Sequence, residues 1–92
     1  MRVADLIRTK LTAGLAPTRL EIVDDSARHA GHAGAREGGE THFNLLIVSE
    51  RFAGQSRIER QRTIHALLQE ELAGPVHALS LRALTPAEAS RD

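Results

Sequence analysis

The 92-residue chain contains no cysteine, tryptophan or tyrosine, and it has only three prolines and two phenylalanines. Without cysteine there is no disulfide framework, no Cys-based zinc site and no thiol nucleophile, so a thiolate near any bound metal must come from another molecule. With Phe43 and Phe52 as the only aromatics, there is little on which to stack nucleic-acid bases. An excess of charge is lacking too: 12 basic and 12 acidic residues cancel, which removes any global pull toward nucleic acid or a membrane surface. The N-terminal run "MRVADLIRTKLTAG" mixes charged and apolar residues at helical spacing and holds neither an apolar signal core nor a membrane span. We expect one small domain over residues 1–92, ordered over about 2–88 with a frayed tail at 89–92, in the cytoplasm. Arginine supplies eleven of the twelve basic residues, in keeping with a GC-rich bacterial source. A chain this short builds no deep cleft, so function belongs on an edge or a loop.

What is present reads as alternating helices and strands. Val3, Leu6, Ile7 and Leu11 recur at steps of three and four, and Gly14 and Pro17 are expected to end this first helix. In "RLEIVDD", Leu20 and Ile22 alternate with Glu21 and Val23 as in a strand. From His42, "HFNLLIVSE" is apolar on both phases in its second half, which predicts a strand buried more than its neighbour. Ser56 and Glu59 stand at capping-box spacing before a pattern through Ile64, Leu67, Leu68 and Leu72. This main helix is expected to stop at Gly74-Pro75, with glycine in the left-handed conformation. "VHALSLRA" then alternates so that His77, Leu79 and Leu81 share a phase, and Thr85, Pro86 and Glu88 open a last helical turn. The order is α-β-β-α-β with a terminal α stub, a hairpin followed by a crossover helix. A two-layer α/β sandwich on a three-stranded sheet covers both helical stripes.

Between the first two strands lies "DDSARHAGHAGAREGGETHF", with three of the five histidines and four of the seven glycines. A hairpin turns in two to five residues, and this one spends about fourteen, an excess that marks function or disorder. His29 and His32 form an H-x-x-H pair, a spacing that reaches one metal ion but that often binds nothing. His77, at the start of the last strand, reads either as a core-edge histidine or as a rim residue offering a neutral nitrogen to a metal.

Three pieces in register, "ETHF", "IVSERFAGQSRIERQR" and "ELAGPVHALSLRALTPAE", resemble the BolA family over residues 1 to about 88. The resemblance implies a fold similar to the class II KH domain and a role with a monothiol glutaredoxin in iron–sulfur trafficking or iron-redox regulation. It also implies a [2Fe–2S] cluster shared with that glutaredoxin and its glutathione, and none held tightly by the isolated chain, itself a monomer or weak homodimer. The family's strand-three histidine ligand matches His77. Its loop ligand, a cysteine or a histidine in different members, corresponds to His29 by its distance from "DDS", with His32 as the alternative. His42 ranks third as a ligand, since a strand start beside Phe43 suits a structural role. His65 lies on the flank of the main helix.

A rival reading starts from Arg51, Arg57, Arg60 and Arg62, which against Glu59 leave a local charge of +3. In the family this region is helix-turn-helix-like and is linked to DNA binding, transcription regulation and stress response. Where relatives often read Arg-His-Arg, this chain has Arg60-Gln61-Arg62. Four arginines on a neutral protein would hold DNA weakly and with marked salt dependence. The "GHAG" of residues 31–34 matches the KH G-x-x-G only literally, because it sits between strands rather than helices. No nucleophile elbow, phosphate loop or carboxylate pair is present, so no catalysis is expected.

Overall fold

The structure, a computed structural model, describes residues 2–24 and 42–91. Helix α1 (Val3–Leu15) is followed by strands β1 (Arg19–Asp24) and β2 (His42–Val48), and a 3-10 turn at Glu50–Phe52 leads into α2 (Arg57–Leu67). Then come α3 (Gln69–Ala73), β3 (Ala78–Leu84) and α4 (Pro86–Ala89). The sheet order is β1-β2-β3, with β2 antiparallel to β1 and parallel to β3, so the hairpin and the helical crossover are both as the sequence predicts.

Period-two alternation decides which sheet face meets the helices. Register aligns Ile22, Leu45 and Leu81 in one cross-strand row and Leu20, Ile47 and Ala83 in the next. Onto these rows α1 lays Ile7, Leu11 and Leu15, and the crossover lays Ile64 and Leu68, with Phe52 and Val76 closing the core. The opposite face carries Glu21, Leu46 and Arg82 in one row and is left to solvent. As the central strand, β2 buries every inward residue, whereas inward residues of β1 and β3 are only half buried.

Both capping boxes form. Ser56 Oγ accepts from the Glu59 amide at 3.1 Å while Glu59 accepts from the Ser56 amide at 2.8 Å, and Thr85 and Glu88 repeat the exchange. The bonds from Ser56, its backbone amide first, hold the Glu59 carboxyl below its ordinary range.

Helix ends depart from the sequence reading. Gly14 does not end α1, which continues to Leu15, and Ala16 takes the left-handed conformation at φ 43°. Gly14 is a point of close approach instead: a Cβ there would lie 2.8 Å from both δ-carbons of Leu67. The main helix is interrupted at Leu68, although bonds from Leu68 to Ile64 and from Leu72 to Leu68 carry its direction through. No glycine or proline stands at this break, and the local sequence gives no reason for it. Gly74 is not left-handed (φ −110°, ψ −110°); the chain turns because the Glu71 carbonyl accepts from the amides of both Gly74 and Val76. After α4 the chain makes a turn in which the Arg91 amide donates to the Glu88 carbonyl at 3.2 Å.

Two polar ties hold the layers. Lys10 Nζ lies 2.8 and 3.0 Å from the carboxylate oxygens of Glu71, joining α1 to α3 over a side chain that is itself buried. Buried Ser49 donates to the Leu15 carbonyl at 2.6 Å and its amide donates to the Leu84 carbonyl, tying the end of α1 to the sheet.

Candidate functional site

Strand directions bring one end of the sheet together. Asp24 closes β1 opposite Phe43, and His42 opens β2 opposite Ala78, the first residue of β3. Both ends of the connection over residues 25–41 and the start of β3 therefore meet at a single sheet edge, about 10 Å wide for two inter-strand spacings. His77 immediately precedes Ala78 there and is exposed.

His42 is half buried and shares its face with Ala78, whereas His77 has the parity of Leu79, the helix-covered phase. His29 and His32 lie outside the described residues. His65 is exposed on α2, far along the chain from this edge. Among the described residues, no three His, Asp or Glu side chains gather as a metal site.

The four arginines of the rival reading do not make one surface. Arg51 donates to the Gly14 carbonyl at 2.6 Å and so caps the C-terminus of α1. Arg60 turns inward: it donates to the carbonyls of Gln55 and Ala83 and to Glu88 Oε1, and its guanidinium lies 5.9 Å from the Phe52 ring centre. The bond from Arg60, helped by the Thr85 amide, brings the Glu88 carboxyl down to about 2. Arg57 and Arg62 are left exposed on α2. The sequence shows that these arginines are close together, but gives no sign that two of them are helix caps and braces.

At the other end of β3 lies a groove of about 490 Å³, lined among others by Gln55, Arg57, Arg60, Leu81, Ala83 and Glu88. No sequence motif announces it, because its walls come from three separate segments.

Residues 11–88 match the family described as BolA-like protein. This chain belongs to the BolA family. The BolA-like chain is 42% identical over 85 residues to the DNA-binding transcriptional regulator BolA of Escherichia coli, covering 92% of this chain and 77% of that protein. It is 54% identical over 86 residues to SufE-like protein 1, chloroplastic/mitochondrial, of Arabidopsis thaliana, covering 89% of this chain. Only 23% of that plant protein is spanned, and 57% of the similar BolA-like protein 1 of Homo sapiens. The solved structure of BolA1 from Arabidopsis thaliana superposes with a TM-score of 0.86 at 44% identity, covering 96% of each chain. The BolA fold and its three-stranded mixed sheet are thus shared. Proteins of this family are regulatory or partner proteins rather than known enzymes. No helix among the described residues is long and apolar enough to cross a membrane.

Proposed function

We propose that this BolA-like protein docks a monothiol glutaredoxin in the cytoplasm and supplies His77, with His29 or His32, to a bridging [2Fe–2S] cluster in iron–sulfur trafficking or iron-redox regulation. The observation that carries this reading is the shared sheet edge, where exposed His77 stands beside both ends of the segment bearing the other two histidines. Chain length favours neither: from Asp24, about 16 Å of extended chain reaches His29 and about 26 Å reaches His32, against some 10 Å to β3. With no cysteine in the chain, imidazole is the iron ligand it has to offer at this edge, and the glutaredoxin and glutathione provide the thiolates. When bound, a cluster held partly by imidazole supplies a higher reduction potential than an all-thiolate one. The SufE-like name of one relative supports an iron–sulfur setting.

The test is reconstitution of the chain with a monothiol glutaredoxin, glutathione, iron and sulfide. A coloured heterodimer is expected, with a visible spectrum altered by His77→Ala and by one of His29→Ala and His32→Ala. An unchanged spectrum in His77→Ala overturns the ligand role, and failure to form any heterodimer overturns the partner.

A second reading, a DNA-binding regulator, draws support from the name of the Escherichia coli relative and from exposed Arg57 and Arg62. It requires a gel shift near physiological salt that survives excess nonspecific DNA; loss at modest salt leaves only patch electrostatics.

A further inference from the structure

Among the described residues β3 ends the sheet, and one of its two backbone edges has no strand of those residues beside it. In a parallel pair the amide and carbonyl of one residue point the same way, and those of the next residue point the other way. The Leu84 carbonyl accepts from Ser49, which follows β2, so the even-numbered residues face inward to β2. The Ala83 carbonyl instead accepts from Arg60, on the outer side. Leu79, Leu81 and Ala83 therefore turn their backbone groups to the outer edge; Leu81 and Ala83 line the groove, and of these groups the Ala83 carbonyl is taken by Arg60.

Three further features describe what would fit there. Arg57 and Arg60 line the groove with Glu88, a net +1, and Glu88 is already engaged by Arg60 and the Thr85 amide, which leaves Arg57 facing it. Arg57 has no hydrogen-bond or ion-pair partner among the described residues. Gln55 Oε1, on the groove wall, is buried with no donor among those residues, a state that costs free energy until an N–H reaches it.

An edge with outward backbone groups and an unpartnered arginine beside it together suit an extended peptide bearing carboxylates. We propose that the outer edge of β3 receives an acidic segment of a second partner protein as an added strand, its backbone pairing with Leu81 and with the Ala83 amide and its carboxylates facing Arg57. Strand addition draws affinity from the main-chain bonds and selectivity from side chains on alternate positions. The groove sits at the far end of β3 from His77, about 20 Å away at the rise of a strand. The proposal draws on no residue of that end, so it stands whether or not His77 holds a cluster.

The test uses the full chain and a labelled short peptide alternating glutamate with valine. Fluorescence anisotropy should show saturable binding that the lysine–valine counterpart lacks, and Arg57→Glu should weaken it about fivefold, a loss in the range of one exposed charge pair. Amide exchange followed by NMR should slow about tenfold or more at Leu81 and Ala83 on adding peptide, with Ser80 and Arg82 unchanged because they already bond β2. Leu81→Pro removes an outward amide and spares the β2 ladder, so it should abolish binding while the remaining amide spectrum stays native. If that variant does not fold, the exchange pattern and Arg57→Glu decide alone. Absence of peptide binding, protection without the odd-numbered pattern, or tighter binding of duplex DNA than of the acidic peptide overturns the proposal.

Discussion

Arg60 and Glu88 meet at 2.6 Å, and through that contact α2 holds α4 and the end of β3 in place. The guanidinium is mostly buried, with 12% of the side chain exposed, and it also serves the carbonyls of Gln55 and Ala83. Replacing Arg60 by Ala leaves both carbonyls without their donor, and we expect a loss of about 2 kcal/mol in a urea titration. A loss no greater than that of Arg62→Ala, whose side chain is exposed, would refute the bracing role.

The same contact sets an acid limit. Glu88 is held down to about 2 when folded, against 4.5 for an ordinary glutamate. The folded value is the lower one, so its stabilisation is complete above about 4.5 and is lost as pH falls from there toward 2. Glu88→Gln should therefore flatten the stability profile between pH 5 and about 2, and wild type and variant should converge at the acid end. Parallel profiles across that window would show that Glu88 does not titrate as described.

Ala16 carries a conformation better suited to glycine. At φ 43° its Cβ crowds the backbone, a penalty of about 1 kcal/mol that glycine escapes. Ala16→Gly should raise the thermal midpoint, and a lowered midpoint would mean that the strain is not there.

Gly14 and Leu67 should be energetically coupled. Alanine at position 14 gains about 1 kcal/mol of helix propensity, but its Cβ would press on both Leu67 δ-carbons at 2.8 Å. We expect Gly14→Ala to be close to neutral in the native background and stabilising in the background of Leu67→Ala. A double-mutant cycle with no interaction term would contradict the close approach.

Lys10→Met strands the Glu71 carboxylate, which is 5% exposed, without its counter-charge. The variant should unfold at lower urea than the wild type, and adding Glu71→Leu should recover most of the difference. Hydrogen bonding to Glu71 raises the Lys10 pKa above 10.5, so this contribution is present below that value and is lost as pH climbs through the folded one. A Lys10→Met chain as stable as the wild type would dismiss the pair as ornamental.

Elements, their order and their phases were legible because each rests on local rules. Leu20 and Ile22 alternate, Ile64 and Leu68 fall on one helical stripe, and Ser56 and Thr85 cap as their spacing demands. Helix ends were less legible, since glycine has two uses. Gly14 looks like a terminator but permits contact with Leu67, and only the packing of α1 against α2 distinguishes the two. Arg51 and Arg60 were read as free charge because a sequence cannot show that carbonyls of Gly14 and Ala83 come within their reach. Of the candidate ligands, His42 is placed by strand register and His77 by its position just before β3, while His29 and His32 lie outside the described residues.

Lys10 is the only lysine in the 92 residues, so it is the one side-chain amine that acylating reagents can reach. Its ammonium is engaged by Glu71 where α1 rests on α3. With 28% of its side chain exposed, Lys10 need only swing away from Glu71 to react, so the rate at which a mild acylating reagent modifies it counts how often that ion pair breaks and needs no engineered probe. Labels intended to leave the fold undisturbed belong on a cysteine introduced elsewhere.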